Sequence, residues 1–263
     1  NWVLNRRTSG GKRPAHVFVS QNGDWPAQSN RSEYRFFGCD GLVCTNPDFF
    51  ERNRPLWRCA LIPNGIDTAR FTPGAASRER FGLPADRPVI LMVSALISTK
   101  RVADGIRAAS MIPDAHLVVA GDGPLREEID RLAAERLAGR FSRVSIGAAE
   151  MPDLYRSADI FLHMSIEESF GNVFVEAMAC GLPIVGHDSA RLRWIVGDDE
   201  YLADTTDQPR LVAAISGALA GARESGDSRV ERSRRFAWSH IAEDYRKFFS
   251  EILTAGVGAR GRR

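Results

Sequence analysis

The sequence has no apolar run approaching the ~18–20 residues that a helical membrane span requires. It has almost no charge imbalance: 35 basic against 33 acidic side chains leave a formal net charge of +2 over 263 residues. Electrostatics therefore gives no argument for a nucleic-acid partner, and none is expected. Cysteine is scarce. Cys39, Cys44, Cys59 and Cys180 form no Cys-x-x-Cys pair, which removes the common zinc and dithiol signatures. A chain this long does not need a disulfide framework, and four scattered thiols suit a reducing cytosol, so a cytoplasmic setting is expected. The five histidines show no His-x-x-x-His pattern, and no Ser-His-Asp spacing stands out. Neither a metal nor a cofactor is expected.

What is present is ordinary globular composition, 44% hydrophobic and 26% charged. Short β-rich runs alternate with helical patterns. "HVFVS" (16–20), "GLVCT" (41–45) and "CALIPNGI" (59–66) read as strands, with short helices over 30–37 and 46–53 between them. Asn46 with Pro47 is a helix start signal. Residues 67–88 are rich in glycine, proline and charge and read as a connecting segment. "VILMVSA" (89–95), "AHLVVAG" (115–121), "RVSIG" (143–147), "DIFLHMS" (159–165) and "PIVGH" (183–187) read as strands. Helices are expected over 101–111, 124–138, 151–157, 171–180, 207–222 and 238–253. The 124–138 helix has Asp122 or Gly123 as its cap. Near-continuous apolar strands alternating with helices imply a parallel sheet covered on both faces. The opening "NWVLNRRTSGGKRPAHVFVSQ" reads as a turn entering a strand, so an upstream part is expected. The basic end of the chain, from Gly258 to Arg263, reads as a solvated tail.

In such sheets ligands bind at the carboxyl ends of strands. Three stretches there are unusual: "SALISTKR" with Lys100 and Arg101, the "GDGP" turn, and "SIEESFGNVFVEAMACGLPIV". A helix starting at Gly171 points free N–H groups at the sheet edge, and its dipole favours an anion such as a phosphate. Glu176 falls in the second turn, too far along to be a cap. A carboxylate there suits neutral hydroxyls, such as those of a ribose. Glu168, before the helix, could accept from a sugar hydroxyl beyond the phosphate. Together they describe a pocket for a sugar–diphosphate–nucleoside. Taken singly, each feature has an ordinary structural explanation. Glu168 and Glu176 could serve the helix dipole, Lys100 and Arg101 a solvated face, and "GDGP" a plain turn. Asp198, Asp199 and Glu200 read as an exposed acidic turn, and His163 as a core histidine. His187, ending a strand near the pocket, is balanced between structure and function.

"LIPNGID", "VSALISTKR", "VVAGDGP" and above all "EESFGNVFVEAMACGLPIV" resemble the donor-binding half of retaining glycosyltransferases of the GT-B fold, group 1 or family 4. The glutamates match that family's Glu-x7-Glu motif, and "FAWSHIAEDYRKFF" is similar to its closing helix. The likeness runs roughly over residues 62–249. It implies an α/β, GT-B-like fold with two Rossmann-like domains facing a cleft. The expected division is 1–67 as the end of the acceptor-side domain and 68–236 as the donor domain. A closing helix over 237–253 and a basic tail over 254–263 complete it. By position, the resemblance places Lys100 on the donor diphosphate, Glu176 on the ribose and Glu168 beside the donor sugar. It brings Ser169, Phe170, Gly171, Asn172 and Val173 to phosphate and sugar, and Ser145, Ile146 and Gly147 to the base. Lysine, amides and dipole, not a metal, would stabilise the leaving diphosphate.

The family often has Gly-Arg where this chain has Ser94-Ala95, so Arg101 is expected to supply the second cation. The implied partners are a nucleotide-sugar donor and a carbohydrate or lipid-linked acceptor, with a peripheral membrane contact at the inner face compatible with the family. Three activities stay open on the sequence: a retaining transferase, an epimerase on nucleotide sugars, and a binding module without catalysis.

Overall fold

A computed structural model describes residues 14–20, 40–221 and 226–255. The helix expected over 30–37, Cys39 and residues 256–263 of the basic tail lie outside them. The chain divides into two compact units. One comprises Asn1–Gly65, Glu168–Phe170 and Phe236–Arg263, and the other Ile66–Glu167 and Gly171–Arg235.

Among the described residues the first unit holds three parallel strands, β1 (Val17–Ser20), β2 (Gly41–Cys44) and β3 (Cys59–Leu61), in that order. Between β2 and β3 runs α1 (Pro47–Asn53). Its start follows from the sequence signal. The Asn46 side chain accepts the Phe49 N–H at 3.0 Å, and Pro47 occupies a position whose missing N–H costs nothing.

The second unit alternates strand and helix from β4 to α7 and ends in one more helix. In order it contains β4 (Val89–Val93), α2 (Val102–Ser110), β5 (His116–Ala120), α3 (Arg126–Arg136), β6 (Phe141–Val144), α4 (Met151–Arg156) and β7 (Ile160–Leu162). Then follow α5 (Asn172–Ala179), β8 (Ile184–His187), α6 (Ala190–Val196), β9 (Tyr201–Ala203), α7 (Gln208–Ala220) and α8 (Gly226–Ser233). The six strands are parallel, in the order β6-β5-β4-β7-β8-β9.

Side chains alternate across this sheet. Ile90, Met92, Leu117, Val119, Ile160, Leu162 and Val185 form one buried cluster with Ile106 of α2, Ile129 of α3 and Leu211 and Ile215 of α7. On the other face Phe161 meets the rings of Tyr155 in α4 and Phe174 in α5, each at 5.9 Å between centroids. Helices on both faces explain why β4 reads as an unbroken apolar run. The chain returns to the first unit through α9 (Trp238–Thr254). Its Ile241, Phe248 and Ile252 pack with Val43 and Ile62. Gly41 admits that helix, since a Cβ there would collide with Ile252 and Phe248.

Several expectations need correction. Helix α3 starts at Arg126 rather than Pro124, because the Leu125 and Arg126 N–H groups close a turn onto Leu96 O and Gly123 O. Strand β6 is Phe141–Val144, upstream of the expected 143–147, since its pairing with β5 ends at Val144. This leaves Ser145, Ile146 and Gly147 in the following loop. Residues 67–88 are anchored more firmly than a linker. The Arg78 guanidinium donates to Asp159 Oδ2 at 2.6 Å and to the carbonyls of Ser157 and Arg87. Helix α6, strand β9 and helix α8 were not anticipated. Glu200 is not part of an exposed turn: it forms a buried ion pair with Arg229 of α8, while Asp198 and Asp199 are solvated.

No helix among the described residues is long and apolar enough to cross a membrane.

Candidate functional site

Counted within the second unit, the strand order is 3-2-1-4-5-6, the doubly wound arrangement. Its topological switch point lies between β4 and β7. Connections leave those neighbours in opposite directions, and the crevice opened at their carboxyl ends is where such sheets bind ligands. The loop leaving β4 ends in Lys100, and the connection leaving β7 ends at Gly171, the first residue before α5.

The β4 loop is held from below by the glycine-rich turn. Leu96 N–H donates to Asp122 O at 3.0 Å, and Leu125 N–H donates back to Leu96 O at 3.1 Å. A Cβ on Gly121 would overlap the Ser94 carbonyl oxygen, and one on Gly123 would meet the Leu96 backbone at 2.7 Å. "GDGP" is thus a seat for the backbone of Ser94 and Leu96. Above it Ser98–Lys100 form a single 3-10 turn, leaving Lys100 half-buried. Arg101 follows in a left-handed conformation, φ 51° and ψ 35°, which non-glycine residues seldom adopt. Its guanidinium donates to Asp104 Oδ2 at 2.9 Å, Thr205 Oγ1 at 3.0 Å and Thr205 O at 3.1 Å. Arg101 therefore ties the β4 loop to the loop after β9.

Helix α5 begins with Gly171 at φ 82°, a conformation glycine adopts without the Cβ penalty. No side chain caps this helix. Asn172 is exposed and Val173 half-buried at its first turn. At the other end Gly181 N–H bonds Met178 O and Leu182 N–H bonds Ala177 O, a Schellman stop.

Glu176 sits in the second turn, half-buried, and its Oε2 accepts the hydroxyl of Tyr155 at 2.8 Å. Burial pushes the Glu176 carboxyl above the ordinary carboxylate range. The Tyr155 hydroxyl and the positive charge of Arg70 pull the other way. Tyr155 is wholly buried, and burial first, then the Glu176 charge, keeps its phenol protonated. Cys180, one turn further along α5, is pushed up to about 12 by burial and is an inert thiol at neutral pH. Arg70 also donates to Ala148 O at 2.8 Å, so it braces the loop that carries Ser145, Ile146 and Gly147.

Glu168, Ser169 and Phe170 group with the first unit. There the Asn46 Nδ2 donates to Ser169 O at 2.7 Å, and the buried Phe170 ring lies edge-on to Phe236 at 5.4 Å. His163 is buried between Phe161 and Phe174. His187 ends β8 with its Nδ1 3.1 Å from Thr205 Oγ1, the hydroxyl that Arg101 also reaches.

The second unit thus places Lys100 on the connection leaving β4, and the Gly171 turn and Glu176 on the one leaving β7, the two strands of the switch point. Tyr155, Arg70 and Thr205 were missed on the sequence, and Asn46 was read there only as a helix start.

A doubly wound sheet with an uncapped, glycine-started helix at its switch point defines an α/β unit of the kind that binds ligands at its carboxyl edge. Residues 75–236 match the family described as glycosyl transferases group 1, and the chain belongs to that family. Among curated relatives, it is 32% identical over 221 residues to a GDP-mannose-dependent alpha-(1-6)-phosphatidylinositol monomannoside mannosyltransferase of Mycolicibacterium smegmatis, covering 74% of this chain and 57% of the relative. It is 34% identical over 225 residues to a D-inositol 3-phosphate glycosyltransferase of Acidothermus cellulolyticus, covering 76% and 50%. The chain spans about half the length of these relatives. Among solved structures, sucrose-phosphate synthase from Thermosynechococcus elongatus superimposes with a TM-score of 0.78 at 27% identity, covering 90% of this chain and 64% of that one. Anabaena HepE, solved with UDP and glucose, gives 0.75 at 18% identity, covering 92% and 72%. The expected GT-B α/β fold is borne out by these neighbours.

Proposed function

We propose that this chain carries the nucleotide-sugar site of a retaining glycosyltransferase, which moves a sugar from a nucleoside diphosphate to an acceptor hydroxyl. The observation that carries the reading is that Lys100 lies on the connection leaving one strand of the switch point, and the Gly171 turn with the Tyr155-held Glu176 on the connection leaving the other. Lys100 and the first amides of α5 take the diphosphate. As the bond to the sugar breaks, negative charge grows on the leaving oxygen, and a fixed ammonium and helix dipole stabilise it without a metal. Glu176 accepts the ribose hydroxyls, and residues 145–147 flank the base. Arg101 contributes by fixing the Lys100 turn through Thr205. Glu168 acts beside the donor sugar, a role that rests on its motif spacing from Glu176. The names of the relatives support a phosphorylated or lipid-linked polyol or a carbohydrate as the acceptor class.

Titration calorimetry of UDP, GDP and ADP and their common sugar conjugates, on the wild type and Glu176→Ala, tests this. Hydrogen bonds to a charged group contribute roughly 1.5–3 kcal/mol, so the variant should bind its nucleotide about tenfold to a hundredfold more weakly. Equal affinity in both proteins would remove Glu176 from the ribose site.

A further inference from the structure

We infer that Tyr155 is a positioning residue for the nucleotide site: its hydroxyl fixes one oxygen of Glu176 so that the other is presented to the ribose. This rests on the ribose assignment made above. The geometry is specific. Tyr155 is completely buried, edge-on to Phe71 and tilted against Phe161, at 5.9 Å each, so its ring has one place to be. A buried phenol needs a hydrogen-bond partner. Here the partner is Glu176 Oε2, contributed by a different helix 21 residues on. Among the described residues Oε2 is the only Glu176 carboxylate oxygen with a hydrogen-bond partner. A glutamate has three rotatable bonds and would otherwise sample several rotamers at the edge of the sheet. The buried hydroxyl removes that freedom before the nucleotide arrives.

The same bond sets charge. A carboxylate accepts from a ribose hydroxyl better when ionised, and burial works against ionisation at this position. The groups around it are few. Arg70 lies on the connecting segment, Cys180 at the C-terminal end of α5, and Tyr155 and Arg156 on α4. Arg229 of α8 is bound to Glu200, and Arg193 of α6 to Asp188 and Asp198. Tyr155 and Arg70 are therefore the groups that favour the carboxylate, and only Tyr155 touches it. Lowering the pH through the Glu176 midpoint protonates the acceptor and weakens binding. Loss of the Tyr155 donor moves that midpoint upward.

The experiment is a calorimetric pH series, from 5 to 8, with UDP and GDP as probes. It compares the wild type, Tyr155→Phe, Glu176→Ala and the double variant. Tyr155→Phe should bind about three- to tenfold more weakly and lose affinity at a higher pH than the wild type. It should add nothing in the Glu176→Ala background. A wild-type affinity and pH midpoint in Tyr155→Phe would overturn the proposal, as would an equal loss in both backgrounds, which marks a purely structural effect. An unaffected Glu176→Ala overturns the ribose assignment itself. Should Tyr155→Phe fail to fold, biosynthetic 3-fluorotyrosine at all four tyrosines offers the opposite change. A more acidic phenol is a stronger donor, so the midpoint should fall, and a fixed midpoint would sink the idea.

Discussion

Arg229 Nε lies 2.6 Å from Glu200 Oε1, with the two side chains only 6% and 4% exposed, and the other Glu200 oxygen accepts the Ile184 N–H at 2.9 Å. This pair joins α8 to the start of β8. Removing one member of a buried pair strands the other charge, at about 3–5 kcal/mol. Arg229→Ala should lower the unfolding free energy by that order in denaturant titrations. Arg229→Met with Glu200→Gln should recover most of it, because the amide oxygen still serves Ile184. The pH dependence has a definite sign. Burial raises the folded-state value of Glu200, an acid, above its unfolded value. Its contribution is thus present below the unfolded value and lost as pH rises through the folded one. Without Arg229 the folded value rises further, so the penalty should be larger at pH 8 than at pH 5.

Arg101 holds a left-handed backbone at φ 51° while its guanidinium binds Asp104 and Thr205. These effects oppose one another and can be separated. Arg101→Ala loses the hydrogen bonds and keeps the backbone strain. Arg101→Gly loses the same bonds but relieves the strain. The glycine variant should therefore be the more stable of the two by about 1 kcal/mol, the left-handed penalty less glycine's extra chain entropy. Alanine proving the more stable in paired denaturant titrations would mean the turn relaxes to another conformation.

Gly121 abuts the Ser94 carbonyl with no room for a Cβ. Gly121→Ala should cost about 1–3 kcal/mol, as overpacking against backbone does. Because Ser94 begins the loop that ends at Lys100, nucleotide affinity should fall with stability. A conservative change on the solvated face of α3, such as Arg131→Lys, should alter neither.

Much of this fold is legible because strand period and apolar continuity are local signals. β4, β5, α5 and α7 are all visible in the sequence. Asn46 with Pro47, and Gly181 with Pro183, marked helix ends correctly because capping chemistry is also local. What could not be read depends on partners distant in sequence. Glu200 reads as an exposed acid until Arg229, 29 residues on, is placed against it. Tyr155 gains meaning only when α4 and α5 pack side by side. Arg101 beside Lys100 reads as a second cation, yet its hydrogen bonds run to Thr205, 104 residues away. β9 and α6 went unseen because β9 lacks the flanking apolar residues that frame the equally short β7, and α6 lacks the proline start that marks the equally short α1.

Lys100 offers the most discriminating test of the anion site. It follows β4 at the switch point, on a turn that Arg101 and the glycine seat hold in place. If it meets the diphosphate, its contribution must depend on phosphate and vanish without it. Charge-assisted hydrogen bonds contribute about 1.5–3 kcal/mol. Lys100→Ala should then weaken UDP or GDP about tenfold to a hundredfold while leaving uridine or guanosine within a factor of two. Lys100→Arg should keep part of the diphosphate affinity, since the charge remains but its shape differs. Raising salt from 50 to 500 mM should weaken diphosphate binding in the wild type and do so less in Lys100→Ala, because one screened attraction is already gone. Equal losses for nucleoside and diphosphate would mean the lysine supports the loop rather than the phosphates, leaving the α5 N-terminus as the anion contact at this site.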